Sequence, residues 1–312
     1  MMTEMPTYYE HIPVMLSECI DALEIEKDGV YIDGTLGGGG HSKEILSHLG
    51  ENGLLYGIDQ DDEAIAAATD RIGEDGRFKI LKGNFGYLTT LLPPRIKGQV
   101  AGILLDLGVS THQIKEGERG FSFQEDGPLD MRMGNLTGVS AYQVVNNYDY
   151  ETLRDVIFHY GEERGSRQIA KAIIDARPIE TTGELKKIVA EVVPGRFQVK
   201  SLARVFQGIR IEVNRELEML KDVLTQSLEV LKPEGRLVVM SYHSLEDRIV
   251  KRFFKAGNLE GKVEKDFYGN VLSPLQVINK QVITPSKEEV SKNPAARSAK
   301  LRVAEKTTGG GS

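Results

Sequence analysis

Between Tyr31 and Leu46 the chain reads YIDGTLGGGGHSKEIL, so a strand-like run leads into four consecutive glycines and then into a helix. Glycine loses more backbone entropy on folding than any other residue, so four in a row indicate that another group must approach this backbone closely. A tight turn without a ligand would need fewer glycines. The stretch therefore predicts a cofactor that lies against bare backbone, with the amides of a helix N-terminus nearby.

The alternation of strands and helices continues through the first third of the chain. Strand-like runs are GVYIDGT, GLLYGID, FKILKGNF and VAGILLDLGV, and the helix-like segments SKEILSHLG and DDEAIAAATDRIG lie between the first three. Such alternation predicts a parallel sheet that is covered by helices on both faces. The fourth run is the most apolar, which is typical of a central strand.

After Val109 this alternation stops. Only helix candidates follow until about Gln207, namely SAYQVVNNY, YETLRDVIFHYG, SRQIAKAIIDAR and TGELKKIVAEVV. A long amphipathic helix from about Glu212 to Leu231 then leads to a fifth strand, GRLVVMSYHS, and two later strands are expected in LQVINKQVI and AKLRVAEK. The prediction is an α/β fold with a mostly parallel, Rossmann-like sheet and a helical insertion between strands 4 and 5.

The predicted domain bounds follow from this pattern. Residues 1–112 and 208–306 form a discontinuous sheet domain, 113–207 form the helical insertion, and 307–312 form a flexible tail of low complexity. The 312 residues are 40% hydrophobic and 27% charged, which is typical of a soluble globular protein. Apolar runs fall short of the roughly 20 residues that span a bilayer. The N-terminal residues carry no export signal, and we expect a cytoplasmic protein.

Cysteine content and net charge exclude some classes of site. The single Cys19 excludes an intrachain disulfide framework and a metal cage made of cysteines alone, and no metal is predicted. We interpret it as a buried, small apolar residue. The formal charge of −7 argues against a protein that coats nucleic acid nonspecifically, but it is compatible with a local basic patch that grips RNA.

Three aspartates follow the predicted strands: Asp33 after the first, Asp59 after the second and Asp106 after the fourth. Each alone is typical of a loop or a helix cap. Together at one edge of a parallel sheet, they would repel a pyrophosphate and attract a cation. The glycine loop also departs from the dinucleotide fingerprint G-x-G-x-x-G, since Ser42 fills its third place. S-adenosylmethionine, which has an ammonium, a sulfonium and no phosphate, fits this charge pattern better than NAD.

Several long motifs of the chain resemble those of a known family. The chain resembles the bacterial 16S rRNA (cytosine-N4)-methyltransferase family, also called MraW or RsmH. The matching stretches run over nearly the whole chain: HIPVML, YIDGTLGGGGHS, LLDLGVST, ERGFSF, DGPLDMRM, YGEER, FQGIRIEVN, HSLEDRIVKRFF and NPAARSAKLRVAE. The resemblance implies the fold of a class I S-adenosylmethionine-dependent methyltransferase. It also implies methyl transfer to the N4 amino group of a cytosine in 16S rRNA, in the decoding region of the small subunit.

The resemblance also implies a set of site residues. The residues expected to bind the cofactor are Gly39, Gly40, His41, Asp59, Phe85, Asp106 and Gln113. Phe85 follows strand 3, where it packs either on an adenine or in the core. His41 starts the first helix after the glycines and is either a cofactor contact or a cap.

The cytosine amino group needs a hydrogen-bond acceptor, because its lone pair is delocalised into the ring. Asp106 and Ser110 are the two candidates for this catalytic role, and no dedicated base or nucleophile is required. His243 follows strand 5 and either lines the pocket or caps the next helix, where Ser244 and Asp247 are spaced like a capping box.

Arginines and aromatic residues in and after the insertion suggest an RNA surface. A target base must leave its stack, and unstacked bases are held by aromatic rings or guanidinium planes. The candidates are Arg119, Phe121, Arg132, Arg204 and Arg210. The alternative is that these arginines hold the insertion together through carboxylates such as Glu118, Asp126 and Asp130.

The expected partner is 16S rRNA within the small ribosomal subunit, without a membrane, and a homodimer is left open. The sequence leaves two other functions open. One is a non-enzymatic ribosome-assembly factor that binds RNA through the insertion. The other is an NAD-dependent dehydrogenase, which would need a pyrophosphate beside three carboxylates.

Overall fold

The computed structural model describes residues 12–110, 113–114, 116–134, 138–269 and 271–308. Packing divides the chain into two units, the first formed by 1–108 and 217–312 and the second by 109–216. The second unit thus begins before and ends after the predicted insertion, 113–207. The predicted bound at residue 207 falls inside a continuous helix, Gln198–Asn214, which cannot be cut between two units at that point.

The first unit is built on a seven-stranded sheet. The strands of this unit are β1 (Val30–Asp33), β2 (Leu54–Asp59), β3 (Phe78–Lys82), β4 (Val100–Asp106), β5 (Leu231–Ser241), β6 (Glu264–Lys265), β7 (Val271–Leu272), β8 (Leu275–Val277) and β9 (Lys300–Lys306). The sheet has the order β3-β2-β1-β4-β5-β9-β8, and β6 pairs with β7 in a separate hairpin. Neighbours from β3 to β5 are parallel, whereas β9 is antiparallel to both β5 and β8.

This order confirms the predicted class I methyltransferase fold, a mostly parallel Rossmann-like sheet with a helical segment between β4 and β5. The helices are α1 (Leu16–Leu23), α2 (Gly40–His48), α3 (Asp62–Ile72), α4 (Leu88–Leu91), α5 (Ala141–Asn147), α6 (Tyr150–Asp155), α7 (Ser166–Asp175), α8 (Thr182–Val192), α9 (Gln198–Asn214), α10 (Glu216–Val230), α11 (Ser244–Ala256) and α12 (Lys287–Lys292). No helix in the described part of the chain is long and apolar enough to cross a membrane.

The prediction of one helix from about Glu212 to Leu231 is wrong at its start. α9 ends at Asn214, and Arg215 adopts the left-handed conformation with φ of 50°. Helical geometry cannot continue through such a residue, so α10 is a new helix that begins at Glu216.

Strand β4 lies in the middle of the sheet and is buried on both faces, as its apolar sequence predicts. Ile103 and Leu105 belong to the core on one face, and Leu104 between them belongs to the core on the other. Successive side chains of a strand point to opposite faces, so a strand covered on both sides must be apolar at every position. This double burial fixes the central strands and thereby the edge at which they end.

The second unit packs its helices around a core of its own, which includes Ile157, Ile169 and Val205. α6 continues into a π-helical turn, Val156–Tyr160. A Cβ on Gly161 would stand 2.5 Å from the carbonyl oxygen of Arg204, so only glycine lets this turn approach α9 so closely.

Candidate cofactor site at the carboxyl edge of the sheet

The order of strands reverses at β1, which lies between β2 and β4. In open α/β sheets, ligands bind at such a switch point beyond the carboxyl ends of the strands. The loop after β1 is tied to both neighbours, because Gly34 donates its amide to the Leu104 carbonyl and Leu36 donates to the Ile58 carbonyl, each over 2.9 Å. The glycine loop is therefore held at the edge where β1, β2 and β4 end.

Asp59 connects this loop to the end of β2. Its Oδ2 accepts the amide of Gly37 at 2.8 Å, and its Oδ1 accepts the amide of Asp61 at 2.9 Å. Burial raises the pKa of this carboxyl to about 6, against the two amides that lower it. Each carboxylate oxygen has a second lone pair, so Asp59 can also accept hydrogen bonds from the two neighbouring hydroxyls of a ribose.

Asp33 differs from Asp59, because it is only 1% exposed and serves the loop itself. Its carboxylate accepts the hydroxyl of Ser42 at 2.7 Å and the amide of Thr35 at 3.2 Å. Burial raises its pKa to about 6. All three aspartates thus lie at the predicted edge, but Asp33 supplies internal bonds and negative charge rather than an open ligand position.

The glycine loop owes two of its glycines to packing. Gly39 has φ of 73° and precedes α2, and a Cβ on it would stand 3.0 Å from the Cβ of Ala68 in α3. A Cβ on Gly40 would stand 2.3 Å from Cγ of Pro13. Contact with the protein's own chain therefore favours glycine at these two positions, in addition to the space for a cofactor that the sequence suggests. Contact of their backbone with a cofactor stays a prediction.

Three side chains lie close to the backbone amide, Oδ1 and Oδ2 of Asp106. Its amide donates to Oγ1 of Thr35 at 2.6 Å, and its Oδ1 accepts the phenol of Tyr242 at 2.8 Å. Nδ1 of His41 lies 3.9 Å from Oδ2 of Asp106, while Nε2 of the same ring lies 3.0 Å from the Val14 carbonyl. A carbonyl only accepts, so Nε2 of His41 carries a proton that it donates to Val14.

Two opposed effects set the charge of Asp106. Burial raises its pKa to about 6, and the positive charge of His41 and the hydrogen bond from Tyr242 lower it, while Asp33 and Glu246 raise it. Burial and Asp106 in turn raise the pKa of Tyr242, which stays a proton donor at all physiological pH values. Asp106 is therefore an acceptor at neutral pH, fixed in orientation by Tyr242.

Cys19 is fully buried in α1 and belongs to the same apolar cluster that Tyr242 packs against. Burial and then the charge of Asp106 raise the pKa of its thiol well above the ordinary value. The thiolate is the nucleophilic form, so a buried thiol with a raised pKa is a poor nucleophile. The interpretation of Cys19 as a buried apolar residue is confirmed.

Phe85 lies beside the loop after β1, since a Cβ on Gly34 would stand 3.6 Å from Cβ of Phe85. It is partly buried and packs against the core of the first unit. Next to it, Nδ2 of Asn84 donates to Oε1 of Gln60 over 3.2 Å, which joins the ends of β2 and β3. Phe85 thus lies beside the loop after β1, and the amides of Asn84 and Gln60 meet where β2 and β3 end.

Ser110 and Gln113 belong to the second unit and form a reciprocal cap. Oγ of Ser110 accepts the amide of Gln113, and Oε1 of Gln113 accepts the amide of Ser110, each over 3.1 Å. The Ser110 oxygen thus already accepts one hydrogen bond, which favours Asp106 over Ser110 as an acceptor for a substrate.

The predicted RNA residues of the second unit are tied to the protein to different degrees. Nη2 of Arg119 donates to the carbonyls of Arg132 and Met133, and Arg132 pairs with Asp130. Phe121 is buried in the core of this unit, so its ring offers little surface to an RNA base.

Arg204 and Arg210 on α9 also differ in their exposure and in how firmly a carboxylate binds them. Arg210 holds Glu216 with two hydrogen bonds of 2.8 and 2.9 Å, and the two side chains are only 16% and 10% exposed. Arg204 is 36% exposed and reaches Glu163 only at 3.5 Å. The carboxylates that bind these arginines are thus Asp130, Glu163 and Glu216, while Asp126 accepts the amide of Gly183 instead.

The sequence did not indicate three residues that form hydrogen bonds with Asp33 or Asp106, namely Tyr242, Thr35 and Ser42. Their roles depend on contacts between separate strands and loops. His243 resolves the alternative left open for it: its side chain accepts the amide of Glu246 and caps α11. The capping box is formed by His243 and Glu246, so the prediction of Ser244 and Asp247 is wrong by one residue.

Known proteins are similar to this chain over nearly its whole length. The profile of the MraW methylase family matches residues 8–307. The chain is 49% identical to Ribosomal RNA small subunit methyltransferase H of Bacteroides fragilis, over 98% of this chain and 100% of that protein. It is 50% identical to the protein of the same name from Parabacteroides distasonis, over 95% and 97%.

A solved structure, an rRNA methylase from Streptococcus thermophilus, aligns with 94% of this chain and 94% of its own at 10% identity. Its TM-score of 0.40 is too low to support a conclusion. Because the family profile covers almost the whole sequence and about half of the residues are shared with full-length relatives, the chain belongs to the MraW methylase family.

Proposed function

We propose that this protein transfers a methyl group from S-adenosylmethionine to the N4 amino group of a cytosine in 16S rRNA of the small ribosomal subunit. The observation that carries the proposal is the convergence of Asp59 and Asp106 beside the glycine loop, in a chain that is about half identical to small-subunit rRNA methyltransferases. The decoding region, the cytoplasmic location and the assembled subunit as substrate belong to the same proposal. A homodimer stays a prediction.

The residues of this edge fit the proposed cofactor chemically. Asp59 offers two carboxylate oxygens for the hydroxyls of a ribose, and Phe85 offers an apolar face for an adenine. Negative charge from Asp33 and Asp106 favours a ligand with cationic groups and disfavours a pyrophosphate. Backbone of Gly39 and Gly40, with His41 and Gln113, completes the proposed set. When bound, the cofactor supplies an activated methyl group.

The protein's contribution to the chemistry is to position and orient the reactants. We assign Asp106 as the acceptor for the cytosine amino group, because that bond would direct the nitrogen lone pair away from the ring. Tyr242 occupies Oδ1, and in the described part of the chain no donor forms a hydrogen bond with Oδ2. Oδ2 is therefore the proposed acceptor atom. Ser110 is the weaker candidate, since its oxygen caps Gln113.

The RNA-binding role of the second unit is part of the proposal. Its most accessible basic stretch lies around α9, where 192–211 contains four basic residues and no acidic one. Arg204 is 36% exposed and reaches Glu163 only at 3.5 Å, so it is the best supported RNA contact. Arg119, Phe121, Arg132 and Arg210 stay predictions with a competing structural role.

The two other functions are not favoured. A dehydrogenase would have to place a pyrophosphate against Asp59 and Asp106, which repel it. An assembly factor without activity would not need two oriented carboxylates at the switch point, each held by specific donors.

A methylation assay tests the proposal. Purified protein, S-adenosylmethionine with a labelled methyl group and either naked 16S rRNA or isolated small subunits are incubated, and the RNA is digested to nucleosides for mass spectrometry. We expect N4-methylcytidine as the product. The label in another nucleoside, or no incorporation into either substrate by a protein that binds the cofactor, would overturn the proposed function. Asp106→Asn is expected to lower kcat by at least tenfold at unchanged RNA affinity.

A further inference from the structure

The hairpin of β6 and β7 exposes two neighbouring aromatic rings almost completely. Phe267 is 97% exposed and Tyr268 is 86% exposed, and their centroids lie 5.7 Å apart with the rings edge to face. The two β7 residues, Val271 and Leu272, are about half exposed as well. Large apolar side chains that protrude together from a surface usually mark an interaction site.

Basic side chains lie on the segment that leads into this hairpin and on the helix before it. Lys262 and Lys265 lie on the hairpin, and Lys251, Arg252 and Lys255 lie on the exposed face of α11. A Cβ on Gly261 would stand 3.8 Å from the side chain of Arg252, so the base of the hairpin rests against this helix. We call these seven residues, with Phe267 and Tyr268 at the tip, the hairpin surface.

The local charge is opposite to that of the whole protein. Residues 248–265 contain six basic and two acidic side chains, Glu260 and Glu264, whereas the chain carries −7 in total. Asp266 lies at the turn, where its carboxylate accepts the amide of Tyr268. A positive surface on an acidic protein indicates a negatively charged partner, and exposed rings next to it favour one that also has flat apolar faces.

The hairpin surface is separate from the candidate cofactor site. α11 begins at the carboxyl edge of the sheet, just after β5, and has 13 residues. At 1.5 Å per residue its other end, from which the hairpin continues, lies about 20 Å away from that edge. A ligand on the hairpin surface would therefore not touch Asp59 or Asp106.

We propose that the hairpin surface binds an unstacked stretch of the rRNA substrate, with bases stacked on Phe267 and Tyr268 and phosphates bound by the lysines and Arg252. Aromatic rings with adjacent cations are the usual means of binding single-stranded nucleic acid. The inference rests on the proposed function for the identity of the RNA. It adds an anchoring site on the first unit, remote from the reaction.

The variant Phe267→Ala with Tyr268→Ala tests the stacking. Loss of base–aromatic stacking is expected to weaken the affinity for 16S rRNA about tenfold or more. KM for RNA should rise by the same factor, while kcat at saturating RNA, affinity for S-adenosylmethionine and melting temperature stay unchanged, because both rings lie in solvent. Phe267→Trp with Tyr268→Trp should retain binding.

A salt series tests the charges. Lys262→Ala and Lys265→Ala should each reduce the slope of log affinity against log salt by about 0.7 for a single-stranded contact. Lys79→Ala is the control, since this exposed lysine lies on β3, at the edge of the sheet opposite to β9 and β8. Its slope should equal that of the wild type.

The outcomes separate the two proposals. Wild-type rRNA affinity in the double alanine variant would overturn the inference and leave the proposed function intact. A loss of affinity for small subunits without a loss for naked 16S rRNA would also overturn it, because the rings would then contact a ribosomal protein. If the wild-type protein binds neither RNA substrate, the proposed function fails and the inference fails with it.

Discussion

The carboxylate of Asp59 accepts the backbone amide of Gly37 over 2.8 Å, so the end of β2 holds the glycine loop that follows β1. The same carboxylate is the proposed partner of the cofactor's ribose. Asp59 therefore holds the glycine loop and also takes part in the proposed cofactor binding. The two roles can be distinguished by measuring the unfolding free energy and the cofactor affinity of the same variant.

Asp59→Ala should weaken binding of S-adenosylmethionine by more than tenfold, because each hydrogen bond to a charged group contributes about 1.5–3 kcal/mol. It should also lower stability by about 1–3 kcal/mol, since the Gly37 amide loses its partner. Calorimetric titration and urea unfolding measure the two effects. Asp62→Ala is the control, as that exposed carboxylate only pairs with Lys82. Unchanged cofactor affinity in a folded Asp59→Ala variant would exclude the proposed role.

Gly39→Ala should destabilise the fold rather than merely block the cofactor. The residue has φ of 73°, and its new Cβ would press on Ala68. The left-handed conformation costs about 1–2 kcal/mol for a non-glycine residue, and overpacking adds about 1–3 kcal/mol. Gly98→Ala is the matched control, with φ of 74° and open space around its Cβ. Equal losses of unfolding free energy in both variants would contradict a role of helix contact at Gly39.

Cofactor affinity should fall as the pH drops below about 6. Burial raises the pKa of both Asp59 and Asp106 to about 6, and each loses its negative charge below that value. Binding titrations from pH 5 to 8 should show a plateau above pH 7 and a decline of up to tenfold per pH unit for each carboxyl below the plateau. A pH-independent affinity over this range would contradict the assignment.

The raised pKa values of Asp59 and Asp106 have the opposite effect on the stability of the ligand-free protein, because their contribution decreases as the pH rises. Because both pKa values are raised above the ordinary value, the folded state takes up protons more readily than the unfolded chain. Their contribution to stability is therefore complete below about pH 4 and is lost as the pH rises through about 6. Asp59→Asn removes one of these groups, so its unfolding free energy should depend less on pH in this range than that of the wild type.

Tyr242→Phe should move the pH dependence of cofactor binding upward. The phenol donates to Oδ1 of Asp106 and lowers the pKa of that carboxyl, so its removal raises the pKa further. The midpoint of the binding decline should shift to higher pH, with kcat reduced at neutral pH. Tyr31→Phe is the control, since that hydroxyl accepts the Glu26 amide far from Asp106 along the chain. A midpoint that does not move would show that Tyr242 serves packing alone.

Alanine substitutions of Arg210 and Arg204 should affect different properties: the first should lower stability, and the second should weaken RNA binding. Arg210→Ala leaves a poorly exposed Glu216 without its two hydrogen bonds, and we expect a loss of about 1–3 kcal/mol in unfolding free energy. Arg204→Ala should change stability by less than about 1 kcal/mol. It should weaken RNA binding and make the salt dependence shallower by about one unit or less. Wild-type RNA affinity and salt slope in Arg204→Ala would exclude it from the RNA surface.

The sequence predicts the strands well because their signal is local. A run such as VAGILLDLGV is apolar at every position, and only a strand covered on both faces requires that. The acids at strand ends follow from the same reasoning, because parallel strands end at one edge. The break at Arg215 has no such signal, since arginine is an ordinary helix residue and only the tertiary fold imposes its left-handed conformation.

The contacts around Asp106 could not be predicted in this way. They depend on the register of β4 against β5, which pairs Asp106 with Met240 and so brings Tyr242, two residues on, to the same side. His41 likewise finds its partner, the Val14 carbonyl, in a segment before β1. The packing contacts of Gly39 and Gly40 could not be predicted for the same reason, because Ala68 and Pro13 come from elsewhere in the chain.

The parallel pairing of β4 with β5 joins residues such as Leu104 and Val238, about 130 positions apart in the chain. The strands β1, β2 and β3 can assemble early, but β4 pairs with β5 only after the whole intervening segment has been brought round. Such high contact order slows folding, and until β5 arrives the apolar edge of β4 is open to other chains. If the intervening unit folds first, it shortens the loop that must be closed, so its own stability would set the rate at which the complete sheet forms.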